Sequence, residues 1–179
     1  ATSGTGFDLR NVENSIYEHN AYTQARGIVF QHNRFGPLRE GCLGNNLKDR
    51  SAGLVVRYNR IFGPAPSALY SHAKNLKIHG NVFDGSSGGV YASGSAAVHN
   101  NVFHGQTSTA LSGGTISAHN NIFDLAPGAK AFGAIGTLTE SHNLLTAGTP
   151  SAGSFAGKPG FVAPAKHDFH LQAGSICID

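Results

Sequence analysis

Tyr22, Lys48, Tyr70 and Tyr91 recur along the chain at nearly even intervals, and Gln24, Arg50, His72 and Ser93 each follow two positions later. On a β-strand, residues two apart point to the same side. If the strands also stack, these positions meet at about 4.8 Å between strands and about 6.6 Å along each strand. The result would be a compact patch of phenol rings, cations and hydrogen-bonding groups. Tyrosine faces can stack on sugar rings, while Lys48 and Arg50 can neutralise a uronate carboxylate or a sulfate. The chemistry implied is engagement of an acidic polysaccharide, with Gln24, Tyr70, His72 and Tyr91 as substrate-binding candidates. The plainer alternative is that long polar residues merely solvate an exposed sheet.

Such stacking needs a repeating scaffold, and the sequence supplies one. A short phrase returns as His32-Asn33-Arg34-Phe35, Tyr58-Asn59-Arg60-Ile61, His79-Gly80-Asn81-Val82, His99-Asn100-Asn101-Val102, His119-Asn120-Asn121-Ile122 and His142-Asn143-Leu144-Leu145, at steps of 26, 21, 20, 20 and 23 residues. This period, with short β-branched segments and glycine-rich joins, marks a β-solenoid whose coils stack on one another. A leucine-rich repeat has a similar period but needs a leucine framework that is missing. The expected fold is all-β, a right-handed parallel β-helix of about seven or eight coils forming a rod about 35–40 Å long. Residues 1–179 are expected to form a single domain lacking its N-terminal cap, since the chain opens almost inside a coil, and 146–179 reads as an irregular closing segment.

Alternation assigns Ala21, Leu47, Leu69, Val90 and Ala110 to the core. Phe35, Ile61, Val82, Val102, Ile122 and Leu145 should join them, with Asn33, Asn59, Asn100, Asn120 and Asn143 as an amide column at a bend. Asp49 is awkward, since strict alternation buries it unless a turn or a base meets it. The histidine column (His32, His79, His99, His119, His142) invites a metal reading. A line of imidazoles makes no tetrahedral or octahedral cage, so a structural ladder is expected. Asp84, His104 and Asp124 align after phenylalanines; they read as turn residues, with a cation between two carboxylates as the alternative. No metal site and no cofactor is expected, a divalent cation being conceivable without support.

The totals agree with an extended β architecture. The 179 residues include 24 glycines and 11 phenylalanines, no Met or Trp, and only 13% charged residues. The formal charge of +3 rises as the ten histidines protonate, which favours an acidic partner at low pH. Basic residues are scattered rather than clustered with aromatics, so nucleic acid is not expected as a partner. No segment is apolar enough to span a bilayer. Opening on Ala1 without Met fits a matured secreted protein or a fragment. Cys42 and Cys177 have no metal-type spacing and form at most one bridge. The ten acids include no evident outward pair for a two-carboxylate hydrolase and no cluster for a calcium site.

The stretches EHNAY (18–22) and GNNLKDRSAGLVVRYNRI (44–61) resemble a branch of secreted bacterial right-handed parallel β-helix repeat proteins. The matching positions are His19, Asn20 and Tyr22, then Asn46, Lys48 and Arg50. The ending DFHLQAGSICID (168–179) resembles the closing segment of β-helix surface proteins, with Ile176-Cys177 departing from the usual small or proline residues. The wider group includes polysaccharide lyases and uronate epimerases, and a location that is secreted, periplasmic or at the cell surface is implied. In that chemistry a cation stabilises an enolate while a base takes the adjacent proton. The resemblance gives the first part to Arg50 or Arg57, and the second to Lys48 with Tyr22 or His19 nearby. The alternative is a non-catalytic structural or adhesive solenoid, associating through its ends as a subunit of a larger assembly. An ice-binding plane ranks below both, since no regular threonine column is present.

Overall fold

The computed structural model describes residues 8–9, 18–151 and 153–178. The expectation of a missing N-terminal cap falls on residues that are mostly outside this set. The chain forms a β-solenoid of about five turns. Seven or eight coils were expected, a minor difference.

Each coil contributes three strands. The first stack comprises Ala21–Thr23, Leu47–Asp49 and Ser67–Ser71, continuing into the first halves of the long strands Gly88–His99, Thr109–His119 and Lys130–Ser141. The second comprises Val29–Gln31, Val55–Arg57 and Leu76–His79, which continue into the second halves of those strands. The third is a separate sheet running from Asp8–Leu9 through Arg34–Phe35, Arg60–Phe62, Val82–Asp84, Val102–His104, Ile122–Asp124 and Leu144–Leu145 to Phe155–Ala156. All pairings in these stacks are parallel. The tail then forms an antiparallel pair, Phe161–Ala163 with Asp168–Leu171, around the short 3-10 turn Pro164–Lys166.

The third sheet carries the core, and here the expected register is one residue off in the middle coils. The buried column is Phe35, Ile61, Phe83, Phe103, Phe123 and Leu145, whereas Val82, Val102 and Ile122 are half-buried on the other side. The Phe83, Phe103 and Phe123 rings stack at 4.8 and 5.0 Å. In the first stack, Leu111 rather than Ala110 continues the line of Leu47, Leu69 and Val90, because the step from Val90 is 21 residues, the same as the step from Leu69 to Val90. Ala110 is buried all the same.

The amide column is corrected by the same one-residue shift. Asn33, Asn59, Asn81, Asn101, Asn121 and Asn143 form the ladder; each Nδ2 donates to the next Oδ1 at 3.0–3.1 Å. Asn100 and Asn120 stand one place earlier, exposed, with φ of 56° and 54°. They share this left-handed corner with His32, Tyr58, Gly80 and His142. An asparagine tolerates that conformation better than most residues, so His-Asn-Asn fits the corner in two ways and sequence alone does not choose. The histidine column divides for the same reason. His79, His99 and His119 end strands in register, while His32 and His142 occupy the corner itself.

The ladder ends on Glu140. Its carboxylate accepts from Asn143 Nδ2 at 2.7 Å, from the Ser154 hydroxyl at 2.5 Å, and from Ser151. Burial raises the pKa of this carboxyl, but the two serine hydroxyls and the Asn143 amide outweigh it and hold it below its ordinary value.

Candidate functional site

Asp49 shows how the first stack is built. It is fully buried, as alternation requires, and it accepts hydrogen bonds from the Ser71 hydroxyl at 3.0 Å and the Ser51 N–H at 3.1 Å. With Leu47 and Asp49 both inward, Lys48 must point out. The register Tyr22↔Lys48↔Tyr70↔Tyr91 then puts all four on one outward row.

Two groups of side chains meet along this row, one around Tyr22 and one around Tyr70. The His19 and Tyr22 rings stack at 6.1 Å, and the Arg50 guanidinium lies 6.0 Å from the Tyr22 ring. Lys48 Nζ lies 5.8 Å from the Tyr70 ring, which stacks on Tyr91 at 4.6 Å. His72 meets Tyr70 edge-on at 5.2 Å and bonds Ser93 Oγ through Nδ1 at 3.0 Å. Gln24 donates to the Tyr22 hydroxyl at 2.5 Å. Contacts of this kind contribute about 0.5–1.5 kcal/mol each where the rings are well packed. Tyr22 is 46% exposed, while Gln24, Arg50 and His72 are also open to solvent.

His19 has a defined protonation state. Its Nδ1 accepts the Asn45 N–H at 2.7 Å, and burial, followed by the charge of Lys48, lowers its pKa. With Nδ1 accepting, the neutral ring carries its proton on Nε2.

Arg57 stands apart from this group. It lies on the second stack of its coil, where Gln31 Oε1 accepts from its Nε and a terminal nitrogen at 2.9 and 2.6 Å. Its neighbours there are Tyr58, at 6.0 Å from the guanidinium, and His79, in register on the next coil. Tyr58 lies nearly parallel to His32 at 5.4 Å, and its ring rests on Gly80, where a β-carbon would meet it at 2.6 Å. His79 and His99 stack with an interplanar angle of 2°. This corner went unrecognised in sequence because its residues come from two adjacent columns that a single alignment merges.

The Asp84, His104 and Asp124 column is confirmed in register. It serves the tail: His167 Nδ1 lies 2.7 Å from the buried Asp84, Arg60 approaches the same carboxylate at 3.4 Å, and His104 pairs with Asp124 at 2.9 Å. Phe161 and Phe169 pack against the His104 ring. Among the described residues no three His, Cys, Asp or Glu are grouped to hold a metal ion, no helix is long and apolar enough to cross a membrane, and Cys42 and Cys177 are separate thiols. Comparison with protein-family models, curated proteins and solved structures finds no match to this chain.

Proposed function

We propose that this solenoid binds an acidic polysaccharide along the row from Tyr22 to Tyr91. The observation that carries the reading is the in-register outward row of aromatic and cationic side chains, with Arg50 and His72 beside it. Sugar rings present apolar faces to the open Tyr22 ring and to the outer edge of the Tyr70–Tyr91 stack, while carboxylates or sulfates fall to Lys48 and Arg50. Gln24 and the Nε2–H of His19 supply hydrogen bonds at one end. A ligand of this kind suits an exported protein.

Uronate lyase or epimerase chemistry is the finer form of the same reading. With the His19 Nδ1 lone pair already engaged, proton abstraction falls to Lys48 or Tyr22, and Arg50 is the cation placed to face the carboxylate. Arg57, held by Gln31, takes no part.

The test is affinity electrophoresis in gels containing alginate, pectate or a glycosaminoglycan, with neutral dextran as control. Retardation by an acidic polymer and a roughly tenfold weaker dissociation constant for the Lys48→Ala, Arg50→Ala double variant, about 1.4 kcal/mol, are expected. Equal mobility in acidic and neutral gels would overturn the proposal. Ultraviolet detection of unsaturated uronate products, with Lys48→Ala alongside, separates a lyase from a binder.

A further inference from the structure

The histidine column of the second stack plays no part in the row from Tyr22 to Tyr91. Gln31, Arg57, His79, His99, His119 and Ser141 stand in register on successive coils. The residues just before the first five, from Phe30 to Ala118, pack in the core, so this row points out. A second outward row runs two positions earlier and contains Lys77. Neither row holds an Asp or Glu.

The imidazoles on this face differ in what they already bond. His119 has both ring nitrogens on serine hydroxyls, Ser117 at 2.6 Å and Ser141 at 2.8 Å. His99 places Nδ1 on Asn100 Oδ1 at 2.9 Å, which leaves its Nε2. Neither ring nitrogen of His79 has a hydrogen-bond partner among the described residues. Its ring is nonetheless held: it stacks on His99 at 4.9 Å and meets Tyr58 edge-on at 5.4 Å, while Tyr58 stacks on His32 at 5.4 Å. Four rings thus run along the corner, the Tyr58 ring 51% exposed and the Arg57 guanidinium 6.0 Å from it.

We infer that this corner is a second docking track for an acidic polysaccharide, on a different face from the row between Tyr22 and Tyr91. The class of polymer rests on the reading of that row; the face and its residues do not. Charge complementarity favours it, since Arg57 and Lys77 stand among rings with no carboxylate on either outward row. The arrangement is single file, one ring or cation per coil at about 4.8 Å, close to the length of one sugar unit. A polymer laid along the rod meets every rung, whereas a lipid surface would need a plane of such groups. Tyr58 offers its face to a sugar ring, and Arg57 and Lys77 meet carboxylates.

Protons couple to this track. The groups facing His79 are Arg57 and His99 on the adjoining strands, Tyr58 at the corner and Lys77 on its own strand, and none is acidic. Burial, followed by the charges of His99, Arg57 and Lys77, lowers the pKa of His79. An anion laid across these groups opposes that effect and favours the protonated ring. Binding therefore takes up a proton, and the track strengthens as pH falls below the ordinary imidazole value of 6.5.

Affinity electrophoresis of the full chain in pectate gels, with neutral dextran as control, tests this on the Lys48→Ala, Arg50→Ala background at about pH 5 and about pH 8. That background should bind pectate about tenfold more tightly at the lower pH. Adding His79→Gln and His99→Gln should abolish the difference, whereas Lys158→Gln with Lys166→Gln, which removes two charges from the tail, should leave it. Retardation of the wild type but not of the background at the lower pH overturns the inference and leaves the row from Tyr22 to Tyr91 standing. No retardation of the wild type at either pH overturns both. A pH difference that survives the histidine changes, or that the lysine changes remove equally, belongs to overall charge and also overturns the inference. Co-sedimentation with phosphatidylserine vesicles in place of retardation by pectate does the same.

Discussion

Replacing Asn101 with alanine should be among the most damaging changes in the chain, while Asn100→Gly next to it should be almost silent. Asn101 is 1% exposed, and its Nδ2 lies 3.0 Å from each of three acceptors: Ile78 O, His99 O and Asn121 Oδ1. Its Oδ1 accepts from both the backbone N–H and the Nδ2 of Asn81 at 3.0 Å. Truncation leaves the Asn81 N–H and the Ile78 carbonyl without these partners in a dry interior. At about 1–3 kcal/mol per orphaned group, the loss is about 2–6 kcal/mol. Asn100 is exposed at φ 56°, where glycine is at ease, so its replacement should cost within about 0.5 kcal/mol. Urea unfolding followed by circular dichroism reads both. With a slope of about 2 kcal/mol per molar, a loss of 4 kcal/mol lowers the midpoint by about 2 M. Equal midpoint shifts for the two variants would refute the reasoning, because it rests on one asparagine being structural and its neighbour not.

Three further outcomes are expected. Gly80→Ala adds a β-carbon 2.6 Å from the Tyr58 ring at φ +67°, so it should destabilise by about 1–2 kcal/mol and displace Tyr58, read by unfolding and by Tyr58 ring proton shifts. His104 has its pKa raised first by the hydrogen bond to Asp124, so its stabilisation is complete below the ordinary value of 6.5 and is lost as pH rises through the higher folded value; the melting temperature should fall in that window, and His104→Gln should remove that part of the slope. Glu140→Ala removes the acceptor at the end of the ladder and should destabilise the last coil, visible as faster amide exchange at Asn143 and Leu144 while Phe83 stays protected.

The solenoid was legible because the repeat survives substitution: Phe35, Ile61, Phe83 and Leu145 differ in size but obey one period. The outward row was legible too, since Leu47 and Asp49 fix the direction of Lys48. What failed was register where two adjacent asparagines compete for one bend, and that depends on a backbone φ that residue types do not dictate. Arg57 was grouped with Lys48 on resemblance, whereas the turn after Arg50 carries it to the next stack. The tail was beyond reach for another reason: after Leu145 the period stops, and antiparallel pairing of Phe161–Ala163 with Asp168–Leu171 leaves no repeat to read.

The asparagine ladder has a consequence for how such a chain can change length. Its rungs are separated by 26, 22, 20, 20 and 22 residues, yet the amide-to-amide distances stay at 3.0–3.1 Å throughout. One corner is therefore a fixed spine, and every insertion is absorbed elsewhere in the coil. The longest coil places its surplus between Phe35 and Asn46, opening the turn that leads into Lys48. Loop length beside the aromatic row can thus vary from one chain to another without moving the spine, so the surface proposed to meet a ligand is free to diversify while the rod stays the same.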